Sequence, residues 1–147
     1  VPEGQFLNSV NHGESHAVVA AIREHLLSKS SESLGVVAMN SKQRDYIEAD
    51  LERLIGKDKL LREAYELNQR SDDPLFIKNL ENVQGDERDV IFISFTYGPQ
   101  EKGAANIPQR FGPINSASGW RRLNVLFTRA KKRIQIYSSM TADQIIL

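Results

Sequence analysis

The sequence predicts an α/β domain with a mostly parallel sheet flanked by helices, on three observations. Short runs rich in valine and isoleucine alternate with segments of helical periodicity along the chain. The run Val90 to Phe95 is apolar almost throughout, as expected of a strand covered on both faces in a parallel sheet. No internal repeat or low-complexity segment interrupts the alternation. In such sheets ligands bind outside the carboxyl ends of the strands.

The first dozen residues are at most short strands. From Gly13 to about Leu27 the apolar positions Val19, Ile22 and Leu26 recur at helical spacing. Ser33 to Met39 is a short valine-rich run, read as a buried strand. Asn40 or Ser41 then caps a helix with Ile47, Leu51, Leu54 and Ile55 on one face. Leu60, Leu61, Ala64 and Leu67 mark another helix, ended by Ser71-Asp72-Asp73-Pro74. Leu75 to Leu80 and Val90 to Phe95 read as strands, and a glycine- and proline-rich loop runs from Tyr97 to Gly119. A helix is expected from about Arg121 to Lys132, a strand from Arg133 to Ser138, and a last turn capped by Thr141.

At 147 residues the whole chain, 1–147, reads as one domain, long enough to bury a core without staples. Cysteine is absent, which excludes disulfides and thiolate zinc sites and fits a reducing, cytoplasmic setting. No run approaches the roughly 20 apolar residues that span a bilayer, so no membrane partner is expected. Nineteen basic residues balance nineteen acidic ones, so any nucleic-acid contact must be local or shared with another domain. The chain opens on Val1 rather than Met, which points to a piece of a longer protein or a processed product; the former is favoured.

The most informative segment is Arg121-Arg122-Leu123-Asn124-Val125-Leu126-Phe127-Thr128-Arg129-Ala130. On a helical wheel of about 100° per residue, Arg129 falls about 20° from Arg122. Val125 and Leu126 flank that line, and Leu123, Phe127 and Ala130 extend the apolar arc. Two arginines inside an apolar face need partners, and a guanidinium offers a planar fork to carboxylate or phosphate. Snorkelling at the core edge or pairing with a structural carboxylate is the plainer alternative. The segment resembles motif VI of superfamily 1 helicases, whose core reads R-R-L-N-V-A-L-T-R-A. That resemblance implies that Arg129 is an arginine finger for the γ-phosphate of ATP. Arg122 is assigned to the cleft beside the nucleotide or to structural pairing. Trp120 departs from the family pattern, which often has an acidic residue or proline there.

Glu81-Asn82-Val83-Gln84-Gly85-Asp86-Glu87-Arg88-Asp89 lies between two expected strands. Read alone, Gly85 is a turn residue that permits close backbone approach to a ligand, and the carboxylates belong to a solvated loop. The segment resembles motif V of the same superfamily, especially the branch of the nonsense-mediated-decay helicases, with its pattern S-F-Q-G-x-E-x-D before an apolar strand. By that resemblance Gly85 and Glu87 face the nucleotide, with Glu87 at the ribose, while Asn82 and Gln84 lie toward nucleic acid. Asn82 stands where relatives often have serine. Asp89 is read as structural, tying the turn to the strand. A metal-dependent nuclease is the rival for these carboxylates, but Asp86, Glu87 and Asp89 are too local for a magnesium site, and no metal ligands are assigned.

Leu34 to Gln43 resembles motif IV, which adds Gln43 as a nucleotide-side residue, although Met39 and Asn40 stand where many relatives have proline and an aromatic. His12, His16 and His25 show no metal spacing. The three motifs occur in the family's order. No G-x-x-x-x-G-K-[ST] loop is present, nor a strand ending in Asp-Glu. The resemblance therefore implies the second RecA-like, three-layer α/β domain of an ATP-driven helicase. ATP and Mg2+ would be held mainly by a first RecA-like domain of the same polypeptide, with single-stranded DNA or RNA as the track. The alternative is a non-catalytic RecA-like binding or assembly module.

Overall fold

The structure, a computed structural model, describes residues 6–7, 10–28, 30–83, 85–95, 121 and 124–138. Two short antiparallel strands, β1 (Phe6–Leu7) and β2 (Val10–Asn11), lead directly into α1 (His12–Leu27). Then come β3 (Leu34–Ala38), α2 (Ser41–Lys57), α3 (Lys59–Gln69), β4 (Phe76–Asn79), β5 (Arg88–Ser94) and β6 (Ala130–Tyr137). The last four strands form one all-parallel sheet of order β4-β3-β5-β6, the helix-flanked parallel sheet that the alternation predicts.

Each of α1, α2 and α3 begins on a side-chain cap that satisfies an otherwise orphaned N–H. Asn11 accepts from the Glu14 N–H at 3.1 Å, and Asn40 accepts from the Gln43 N–H at 2.8 Å. Asp58 separates α2 from α3. Its N–H closes α2 on the Leu54 carbonyl at 2.9 Å, and its Oδ1 caps α3 through the Leu61 N–H at 3.1 Å. Its Oδ2 accepts from Arg23 Nε of α1 at 2.7 Å, so one residue, through its N–H and its carboxylate, joins three helices. The Arg23 hydrogen bond, followed by the Leu61 N–H, holds the Asp58 carboxyl below the usual carboxylate range.

Alternation along β3 and β5 divides the core between the two faces of the sheet. Leu34, Val36, Ala38, Val90 and Phe92 pack with Val18, Val19 and Ile22 of α1, Ile47 and Leu51 of α2, and Leu61 of α3. Of the apolar positions expected to bury α3, only Leu61 does so; Leu60 is 63% exposed and Leu67 is 68% exposed. Val37, Ile91 and Ile93 point the other way, where Leu80, Val83 and Leu126 cover them. The connection from β4 to β5 must cross β3; its 3-10 turn Leu80–Asn82 supplies Leu80, and Val83 follows directly after it. Gly35 has a packing reason: a Cβ there would lie 2.4 Å from Phe76 Cζ, so the ring edge occupies that space.

The last helix ends earlier than its periodicity suggests. Residues 124–127 are helical, Thr128 is a turn, and β6 already begins at Ala130 instead of Arg133. Thr128 N–H bonds the Val125 carbonyl at 3.0 Å and Arg129 N–H bonds the Leu126 carbonyl at 2.9 Å, tightening the end to i→i+3. The Arg129 carbonyl then accepts from the Arg88 N–H at 3.0 Å, which starts the ladder to β5. Leu126 is fully buried and Ala130 packs partly buried against the same cluster, whereas Val125 and Phe127 are exposed, so the described part of the apolar arc is only partly covered. Arg129 thus lies beyond the helix, and the shared wheel line with Arg122 does not describe its setting. Arg122, Gln84, the 97–119 loop and Thr141 lie outside the described residues.

Candidate nucleotide-facing site

Glu87 immediately precedes β5 and Arg129 immediately precedes β6. Because the strands are parallel neighbours, with Arg88 opposite Ala130, these two residues meet at the amino end of the pair. That is the end opposite the one a parallel sheet ordinarily offers to ligands. Arg129 Nη1 stands 4.0 Å from Glu87 Oε1, with side chains 25% and 52% exposed. Arg129 Nε is buried without a hydrogen-bond partner. A buried donor of this kind costs free energy until an acceptor reaches it.

Gly85 has φ +78°, in the left-handed region that favours glycine, while nothing lies within 4 Å of where its Cβ would be. The glycine therefore serves conformation and leaves open space beside the backbone. Asp86 donates its N–H to the Val83 carbonyl at 3.4 Å and pairs with Lys78 Nζ of β4 at 2.6 Å. Arg88 forks onto the Pro74 carbonyl, through Nε at 3.1 Å and Nη2 at 3.0 Å, and its Nη1 reaches the Glu87 carbonyl at 2.7 Å. Sequence reasoning missed Lys78 and Arg88. The available signal was Lys78 itself, a charge two residues from Phe76 on the same face of a short strand, which demands a partner.

Asp89 has a structural role, but a different one from that expected: it lies in β5 and ties that strand to the residue entering β3. It accepts from the Ser33 N–H at 3.0 Å, and its own N–H donates to Ser33 Oγ at 2.8 Å. The Ser33 backbone bond, with Lys132 and Lys131 nearby, holds the Asp89 carboxyl below its ordinary value. Asn82 is exposed at the end of the 3-10 turn, with its backbone N–H bound to Asn79 Oδ1 at 3.1 Å.

Gln43 stands apart from Glu87 and Arg129 in its bonding. It is fully buried; its Oε1 accepts from the Asn11 N–H at 2.7 Å. Its Nε2 donates to the Asn11 carbonyl at 3.0 Å and to Ser94 Oγ at 3.2 Å. Ser94 Oγ in turn donates to Glu14 Oε1 at 2.6 Å. In this arrangement the amide joins α2 to β2 and β5 and has no exposed group to present to a ligand.

Chemically, a guanidinium fork can donate to phosphate or carboxylate oxygens, and a half-exposed carboxylate can accept from a hydroxyl. Among the described residues, no group of three or more histidines, cysteines or carboxylates is placed to hold a metal ion. Among the described residues, no helix is long and apolar enough to cross a membrane.

A protein-family profile described as an AAA domain matches residues 3–141. The chain is 35% identical over 144 residues to an uncharacterized ATP-dependent helicase of Mycoplasma genitalium, an alignment covering 95% of this chain. It is also 35% identical over 148 residues to the homologous protein of Mycoplasma pneumoniae, covering 97% of this chain. In both cases the chain spans 12% of the relative's length. On the family match over residues 3–141, the chain belongs to this AAA domain family, and its parallel α/β fold agrees with that membership.

Proposed function

We propose that this chain is the second RecA-like motor domain of a superfamily 1 ATP-dependent helicase or translocase, of the nonsense-mediated-decay helicase-like branch. The observation that carries the reading is the meeting of Arg129 with Glu87 at the amino ends of β5 and β6, with Arg129 Nε buried and lacking an acceptor. ATP supplies the phosphoanhydride whose hydrolysis drives the cycle, and its triphosphate and magnesium are held mainly by a first RecA-like domain.

This chain's part is electrostatic and positional. Arg129 brings a fixed positive charge and a planar fork to the γ-phosphate, where it stabilises charge that develops during transfer. Its place just past a helix end, anchored by buried Leu126 and by the backbone bond to Arg88, makes that charge preorganised. Glu87 accepts from a ribose hydroxyl, and Gly85 lets the backbone approach. Asn82 and Gln84 face single-stranded DNA or RNA, and Arg122 lines the cleft or pairs within the domain. Closing the two domains on nucleotide and opening them after hydrolysis steps the protein along the strand. Gln43 acts here as a structural amide linking α2, β2 and β5. The cytoplasm is the proposed setting.

The full-length protein tests this. Arg129→Ala is expected to lower nucleic-acid-stimulated ATPase by about 10³ or more. An unchanged rate would instead favour a non-catalytic RecA-like module. The isolated chain is expected to hydrolyse almost no ATP, and robust turnover by it alone would refute the two-domain reading.

A further inference from the structure

We propose that Lys78 is a positioning residue for nucleotide binding, whose ion pair with Asp86 braces the Gly85 turn and fixes where Glu87 stands. The inference rests on the nucleotide-facing reading of Glu87 above.

Among the described residues, the turn's own backbone bond, from the Asp86 N–H to the Val83 carbonyl, is long at 3.4 Å, and open space lies beside Gly85 where a side chain would stand. The turn's side-chain restraints flank Glu87. On one side Lys78 Nζ reaches Asp86 at 2.6 Å; on the other, Arg88 clamps the Pro74 and Glu87 carbonyls. Both cations also share one ring, Lys78 Nζ at 5.3 Å and Arg88 Cζ at 5.0 Å from the Phe76 centroid. Phe76 and Lys78, two residues apart, share one face of β4, so a sheet strand is coupled to the turn between Gly85 and Glu87.

A carboxylate on a sugar hydroxyl contributes equally before and during phosphoryl transfer. Its misplacement should therefore raise KM and spare kcat, whereas loss of Arg129 acts on kcat. The Lys78 and Asp86 side chains are 36% and 27% exposed, so solvent screens the pair and the effect is modest. About a three- to fivefold rise in KM for ATP is expected on its loss.

The test uses the full-length protein with ATPase measured under saturating nucleic acid. Lys78→Met keeps most of the stem over Phe76 and removes the charge. It should raise KM about three- to fivefold with kcat within about twofold. Lys78→Arg should hold KM near its original value, and the charge exchange Lys78→Asp with Asp86→Lys should recover most of the loss. Amide exchange at Asp86 should quicken in Lys78→Met, a readout independent of catalysis. Glu87→Gln serves as the control on the underlying reading. If it leaves KM unchanged, the nucleotide role of Glu87 is wrong. If it raises KM while Lys78→Met changes neither KM nor Asp86 exchange, the brace is wrong. A Lys78→Met loss in kcat that the charge exchange does not recover also refutes the brace, because that is the mark of general destabilisation.

Discussion

Replacing Gly35 by alanine isolates one packing decision on which the amino end of the sheet depends. The new Cβ would lie 2.4 Å from Phe76 Cζ, 2.7 Å from Cε2 and 3.0 Å from Ile91 Cδ1. Ordinary carbon contacts are about 3.5 Å or longer, so the ring edge must retreat by about 1 Å. It is not free to do so, because Lys78 and Arg88 stand over the ring and are tied to Asp86 and Pro74. Overpacking of this kind costs about 1–3 kcal/mol, offset by a few tenths from alanine's lower unfolded-state entropy. A net loss of about 1–2 kcal/mol corresponds to a fall in Tm of roughly 3–6 °C at this chain length. Urea unfolding followed by circular dichroism should show a lower midpoint with an unchanged slope. In a Phe76→Leu background the same substitution should cost less than about 0.5 kcal/mol, since the clashing ring is gone. Equal costs in both backgrounds, or no cost with Phe76 present, would refute the argument.

Three further outcomes follow from single residues. Leu126→Ala empties a fully buried position and should cost about 2–5 kcal/mol, read by urea unfolding. Gln43→Leu removes the acceptor of the Asn11 N–H and the donor to the Asn11 carbonyl and to Ser94 Oγ, which keeps its bond to Glu14. It should destabilise by about 1–3 kcal/mol in the same assay. Asp58 has a folded pKa below its ordinary 3.8, so its stabilisation is present above that value and is lost as pH falls through the lower folded one. The unfolding midpoint should thus fall below about pH 4, and Asp58→Ala should flatten that part of the curve; an equally steep variant would contradict the assignment.

Much of the fold was legible because local and global signals agree. Asn40 stands at the junction of an apolar strand and a periodic helix, and it caps as expected. The alternation of core faces in β5 was not legible, since an apolar run carries no period. Its two faces became distinct only when Val90 and Phe92 met helices while Ile91 and Ile93 met Leu80, Val83 and Leu126. The helix end was misjudged for a physical reason. Helical spacing continues through Arg129, but Thr128 Oγ1 takes the Val125 carbonyl at 2.6 Å and Arg88 claims the Arg129 carbonyl. Local periodicity cannot report a backbone partner some forty positions earlier. Gly85, Glu87 and Arg129 were singled out by resemblance to motifs, and the fold sets Glu87 beside Arg129. Lys78 and the Arg88 clamp needed the register of β4 and β5.

Arg129 lies past the helix, beside Glu87, with a buried Nε that lacks an acceptor, and the central claim is that a nucleotide phosphate supplies one. Single-turnover ATP hydrolysis by the full-length Arg129→Ala protein, with nucleotide and nucleic acid saturating, tests this most directly. The chemical step should slow by about 10³ or more while nucleotide affinity changes only a few-fold. Hydrolysis at the unaltered rate would contradict the account.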